Sequence, residues 1–154
     1  FANSSFHSIN AFALVNASGA RQYVRWRLEP QTPFAALQTP VDDRDYLQHD
    51  LQRRLGLAPL RWTLHLSLAE PGDPVDDPAQ PWPAQRRDID AGTLVIEQVD
   101  GPEQGACRDL NFDPLILPSG IEPSDDPILA ARSAAYAVSF NRRSREAGHQ
   151  GAQP

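Results

Sequence analysis

At 154 residues and a formal charge of −6, the chain has room for one domain with a real core and lacks the basic footprint that a nucleic-acid partner requires. Its one cysteine, Cys107, excludes an internal disulfide and a cysteine-based zinc site and reads as a small apolar residue. No apolar run approaches the ~20 residues of a membrane-spanning helix, no secretory leader is visible, and the absence of methionine is taken to mean that the chain begins inside a longer protein.

Phe12–Asn16 reads as a strand, residues 17–20 as a turn, and Gln22–Leu28 as a second strand, giving a β-hairpin. Val24, Trp26 and Leu28 alternate there with Tyr23, Arg25 and Arg27. Glu29–Asp43 carries Pro30, Pro33 and Pro40 and reads as a connector. Asp45–Leu55 has helical spacing with a narrow apolar stripe, and Gly56 is expected to end it. His49 and Asp50 are residue types used in acid–base chemistry, yet a solvated histidine is the commoner outcome on a polar helix face. Leu60–Leu68 alternates throughout: Trp62, Leu64, Leu66 and Leu68 face one way, and Arg61, Thr63, His65 and Ser67 the other. The Pro/Asp-rich stretch 70–78 lacks the spacing of a calcium-binding loop and reads as an ordinary turn region. Gly101–Gly105 is expected as a turn.

The last element is the most informative. Asp126 is placed to cap the first turn of a helix, and Pro127 suits its first position. Ala130, Ala131, Ala134, Ala135 and Ala137 favour helix and allow close approach. Ile128, Arg132, Tyr136 and Phe140 recur every fourth residue along one stripe, with Arg143 a turn further on. Two readings of the Arg–Tyr pair stand open on residue chemistry. Tyr136 is either a core tyrosine beside a surface arginine or an ionised phenol that ligates ferric iron. A free phenol titrates near pH ~10, so ionisation at neutral pH needs strong positive charge beside it.

Three linked motifs resemble one family. Asn111-Phe112-Asp113-Pro114, the run Pro118–Pro127, and Arg132-Ser133-Ala134-Ala135-Tyr136 are similar, in order and spacing, to the proximal haem segment of the haem catalases. Ser133-Ala134-Ala135 is closer to the small catalase-related peroxidases than to the large catalases. Ile9–Phe12 with Trp26–Leu28 resembles the strand pair in the middle of the catalase barrel. Pro81-Trp82-Pro83 with Gly92–Val99 resembles its closing strand. The resemblance implies an α+β fold: four strands forming the second half of an eight-stranded antiparallel β-barrel, plus the proximal haem helix. Residues 1–145 would be the C-terminal part of a catalase-like haem domain whose N-terminal half is missing, and 146–154 a frayed tail.

The resemblance also implies a cofactor, haem b, and a set of roles. Tyr136 would be the axial ligand and so the metal ligand, with Arg132 holding its phenolate ionised. Asp126 would order Arg132 as well as cap the helix, and Arg143 would bind a propionate. Phe112, Ile128, Ala135 and Phe140 would wall the porphyrin. Catalases usually place a histidine where Asn10 stands, within reach of the proximal Arg–Tyr pair; an asparagine can hydrogen-bond there but carries no charge, which would change the tuning of the proximal ligand. The family's peroxide-cleaving histidine and asparagine lie upstream, so His7, His49, His65 and His149 receive no distal role. Ala84 and Gln85 stand where NADPH-holding catalases commonly have a histidine, so a bound nicotinamide is not expected. The implied activity is a haem-dependent peroxidase using hydrogen peroxide or organic peroxides and an unidentified electron donor. An oligomer is compatible with it, as is a cytoplasmic or periplasmic location in a bacterium. Two other classes stay open: a haem lyase of fatty-acid hydroperoxides on the same fold, and a non-catalytic β-rich interaction module.

Overall fold

The computed structural model describes residues 2–36, 42–99 and 110–150, the last four of these as backbone alone. In chain order the elements are β1 (Phe6–His7), β2 (Phe12–Val15), β3 (Arg21–Pro30), α1 (Tyr46–Leu55), β4 (Leu60–Leu68), β5 (Asp88–Ile96), β6 (Ile121–Pro123) and α2 (Pro127–Gln150). The strands form one antiparallel sheet in the order β5-β4-β3-β2-β6, with β1 added beside β3. The fold is α+β, as expected.

The β2–β3 hairpin turns on two residues. Asn16 Oδ1 accepts hydrogen bonds from the Ser18 and Ala20 amides at 3.0 and 2.9 Å, and Gly19 takes φ +80°, a conformation that a Cβ disfavours. From there the alternation fixes the register. Val24, Trp26 and Leu28 lie opposite Leu68, Leu66 and Leu64, which gives the sheet one apolar face. Arg25, Arg27 and Glu29 lie opposite Ser67, His65 and Thr63 on the other. A one-residue slip would exchange the two faces, so burial on one side specifies the pairing strongly.

A small core forms at one end of the sheet, where Ala2, Leu60 and Trp62 are buried and Leu28, Leu51, Leu55 and Ile96 pack against them. Trp62 Nε1 donates to the Ser4 carbonyl at 3.0 Å. The remaining apolar face is concave and open. It lines a cavity of about 660 Å³ with Phe12, Val24, Trp26, Leu64, Leu66 and Leu94 among its walls. The accessible surface is 11069 Å², against roughly 7,700 Å² for a closed monomer of this mass. Among the described residues, Leu117 and Ile121 add to its wall, and most of the face stays partly accessible.

Among the described residues six strands stand where four were expected. β1 and β6 are too short to carry a periodic signal, and each exists because a longer neighbour offers it an edge. β3 runs on through Pro30, paired with Trp62, so Glu29 and Pro30 are strand, not connector. β5 begins at Asp88 and ends at Ile96, four residues ahead of the expected start. Its acidic opening is held by polar partners across the sheet: Asp88 takes Arg27 and Ser67, and Asp90 takes His65. Ala91 is left over where the register shifts between Leu64 and His65. Gly56 has φ −66°, so it does not close α1 with a left-handed turn; its amide simply continues the ladder to Gln52 O at 3.0 Å. The backbone of α2 continues to Gln150, past Arg145. Cys107, the turn at 101–105, part of the connector at 37–41 and residues 151–154 lie outside the described residues, as does the side chain of His149. No helix among the described residues is long and apolar enough to cross a membrane.

Candidate functional site at the start of the last helix

β6 lies antiparallel to β2, with Phe12 opposite Pro123 and Leu14 opposite Ile121, which delivers the chain to the start of α2. There Asp126 Oδ1 accepts the Ile128 amide at 2.8 Å, and its own carbonyl accepts Leu129 N–H at 3.1 Å. This is the cap that the Asp-Pro pair announces. Leu129, 1% exposed, anchors the first turn and lies off the expected stripe. Ile128, the expected apolar contact, is 44% exposed.

The second oxygen of Asp126 faces the sheet. Asn10, immediately before β2, donates from Nδ2 to Asp126 Oδ2 at 2.6 Å and accepts from Arg132 Nη1 at its Oδ1, 3.1 Å. Both Asn10 and Asp126 are 3% exposed. A carboxylate only accepts and a guanidinium only donates, so the amide's orientation is forced. Asp126 therefore reaches Arg132 through Asn10. The Arg132 guanidinium stands 6.0 Å from the centre of the Tyr136 ring, and Tyr136 is half-buried. Arg25, from β3, adds a positive charge whose field reaches Asp126; burial pushes its own pKa down, against the pull of Asp126, Asp73 and Asp77.

A second tie holds the preceding loop. Asp113 Oδ1 accepts the Leu115 amide at 2.8 Å, while Oδ2 accepts the Ser133 hydroxyl at 2.6 Å. Phe112, next to it, is 57% exposed, and Ala135 is exposed as well. Farther along α2, Arg143 Nη2 donates to Leu110 O at 3.0 Å and stands 6.0 Å from the Phe140 ring. The structure thus joins Asp126, Arg132 and Tyr136 in one line. Arg143 lies seven residues beyond Tyr136, roughly 10 Å along the helix at the ordinary rise.

Asn10 as a bridge, the Asp113–Ser133 tie and the Leu129 anchor were not legible locally. Asn10 and Asp126 are 116 residues apart, and no spacing rule connects them. The remaining histidines lie elsewhere. His65 sits on the polar sheet face between Glu29 (3.2 Å) and Asp90 (2.5 Å). His49 pairs with Asp43 at 2.8 Å, while Asp50 is occupied by Arg53 and Arg54. Among the described residues, no three His, Cys, Asp or Glu side chains converge on a metal position.

No family model matches the sequence. Over 148 residues the chain is 34% identical to a catalase-related peroxidase of Synechococcus elongatus, covering 94% of this chain and 44% of that one. A catalase-related peroxidase of Mycolicibacterium paratuberculosis matches at 31% over 146 residues, covering 93% and 46%. The chain spans less than half the length of these curated relatives. Catalase A from Saccharomyces cerevisiae shares the fold at a TM-score of 0.81 and 20% identity over 93% of this chain and 32% of its own. A fungal catalase does so at 0.79 and 21%, over 93% and 31%. The matching fold, and relatives that run through nearly the whole sequence, place this chain in the catalase family, alongside the catalase-related peroxidases.

Proposed function

We propose that the chain supplies the proximal side of a haem-dependent peroxidase of the catalase type, which reduces hydrogen peroxide or organic peroxides at the expense of a separate electron donor. In this reading residues 1–145 are the C-terminal part of a catalase-like haem domain, and the side chains that cleave peroxide belong to the rest of the polypeptide. The observation that carries it is the line from Asp126 through Asn10 to Arg132 beside the Tyr136 ring. Arg132 sets a positive charge beside that ring, the kind of neighbour a phenol ligand to ferric iron requires.

The side chains present fit haem b. Tyr136 would offer a single oxygen ligand to a ferric ion. Phe112 and Ile128 expose apolar surface, with Ala135 and Phe140 on the same helix as the phenol, as a flat apolar ring requires. Arg143 has the bidentate fork that suits a propionate. When bound, haem would supply the iron at which peroxide is reduced. Tyr136 would hold that iron through its phenolic oxygen, Arg132 would set positive charge beside the ring, and Asp126 caps the helix start from which both project.

Reconstitution of the full-length protein with haemin tests the reading. An absorbance spectrum of phenolate-ligated ferric haem is expected, together with peroxide-dependent oxidation of a donor. In Tyr136→Phe both should be lost. An unchanged spectrum in that variant removes Tyr136 from the ligand role. Product analysis with a fatty-acid hydroperoxide separates a peroxidase, which yields the alcohol, from a lyase, which yields a rearranged product with no donor consumed.

A further inference from the structure

The segment ahead of β6 is fastened to α2 at two points. Asp113 Oδ2 accepts the Ser133 hydroxyl at 2.6 Å, and the Leu110 carbonyl accepts from Arg143 Nη2 at 3.0 Å. Ser133 precedes Tyr136 by three positions and Arg143 follows it by seven, so both lie on the phenol's side of the helix. The earlier residue of the segment meets the later residue of the helix. Residues 110–113 therefore run antiparallel to α2 and pass the level of Tyr136, with Phe112 between the two ties.

Asp113 is the pivot of a turn. Its other carboxylate oxygen accepts the Leu115 amide at 2.8 Å, and its carbonyl accepts the Ile116 amide at 3.1 Å. A serine on a helix often turns its hydroxyl back to a carbonyl of the preceding turn, as Ser144 does to Phe140 at 3.0 Å. Ser133 gives its hydroxyl to a carboxylate instead, a charge-assisted bond stronger than a neutral one. Phe112 is 57% exposed, too open for packing alone to hold its ring.

We propose that Ser133 is a positioning residue for the haem site: through Asp113 it sets the Phe112 ring at the level of Tyr136 and so slows the loss of haem. The proposal rests on the reading of this side of α2 as the proximal haem wall. In that reading Arg143, at the other end of the segment, is also drawn to a propionate. The Ser133–Asp113 tie uses no group that haem recruits, so it holds the segment with or without the cofactor.

The experiment follows transfer of haem from the full-length haem-loaded protein to an excess of haem-free myoglobin. Ser133→Ala removes the hydroxyl and keeps the helix, since alanine is the better helix former; Ser133→Thr returns the hydroxyl. Haem loss should speed up on the order of tenfold in Ser133→Ala and stay near the wild-type rate in Ser133→Thr. Phe112→Ala should also lose haem faster, and adding Ser133→Ala to it should change little further, because the hydroxyl acts through that ring.

A second readout needs no haem. In the haem-free full-length protein, the Leu115 amide should exchange faster in Ser133→Ala than in wild type or Ser133→Thr. A wild-type rate of haem loss in Ser133→Ala would overturn the proposal. So would equal acceleration in Ser133→Ala and Ser133→Thr, which would assign the effect to helix packing, or full additivity with Phe112→Ala. Unchanged Leu115 exchange in Ser133→Ala would remove the tie and the proposal with it. Failure of the wild-type protein to take up haem would instead defeat the functional reading, while Leu115 exchange still judges the Ser133–Asp113 bond.

Discussion

Asp126 has two carboxylate oxygens and two donors to serve, the Ile128 amide and the Asn10 side chain. Asp126→Ala removes a helix cap and leaves a buried amide donor unpaired, a combined cost of about 2–4 kcal/mol. Asp126→Asn keeps one oxygen, enough for the cap alone, and should cost roughly 1 kcal/mol. Urea denaturation of the full-length protein checks the order; equal losses in the two variants would mean that the cap contributes nothing. The first of these roles is legible in the sequence, because a cap is a local feature and Asp-Pro sits directly before an apolar, alanine-rich run. The second is not, since it depends on where β2 comes to rest. His49 shows the same limit on a smaller scale. Its neighbour Asp50 is taken by Arg53 and Arg54, and its partner is Asp43 in the preceding turn. That hydrogen bond, and then the charge of Asp43, raise the His49 pKa. A raised folded pKa means the pair's contribution is complete below the unfolded value, near ~6.5, and is lost as pH rises through the folded one. Proton NMR titration of His49 should show a lower pKa in Asp43→Asn; an unchanged value would dissolve the pair.

The alternation of Leu60–Leu68 predicts β4 to the residue, because a nine-residue run with one apolar face fixes which side chains turn inward. The loop between β4 and β5 shows what alternation cannot supply. Arg86 forks onto Asp73, Nε and Nη2 each 2.8 Å from an oxygen, and its Nη1 reaches Glu70 at 2.8 Å. Arg25 crosses from β3 to stack over Trp82 at 4.6 Å and donates to the carbonyls of Gln80 and Asp77 at 2.9 and 3.2 Å. Composition marks this stretch as a turn region and stops there; what fastens it are arginines whose partners lie 13 to 55 residues away. The Asp73 side chain is 4% exposed, and the hydrogen bond from Arg86 holds its carboxyl below the usual range. A depressed folded pKa places the contribution above the unfolded value, near ~3.9, with its loss as pH falls through the folded one. Asp73→Asn should therefore open the loop at neutral pH, seen as faster hydrogen exchange at residues 72–87. Wild type should show that opening only in acid below the ordinary carboxylate range. Equal exchange in the two proteins at pH 7 would mean that the fork is not what holds the loop.

At the scale of the molecule, the antiparallel sheet ends on two unequal edges, β5 and the three-residue β6, and its apolar face looks onto an open cavity. The family resemblance carried the architecture this far: an antiparallel sheet followed by a long last helix was expected, while the two short strands came only from pairing. An open apolar face makes a prediction that separates this chain alone from the protein it is proposed to belong to. Leu66 lines the cavity opposite Trp26 on β3. In residues 1–154 expressed alone, Leu66→Glu puts a charge on a surface that water already reaches. It should reduce self-association and binding of a hydrophobic dye at little cost in stability. In the full-length protein the same face is covered in the proposed arrangement, and a carboxylate buried there without a partner costs on the order of several kcal/mol. The substitution should then prevent folding or lower the melting temperature sharply. Improved solubility in the short chain together with damage in the long one is the expected pair of results. If the full-length variant is as stable as wild type, the cavity faces solvent in both, and the sheet is not half of a closed barrel.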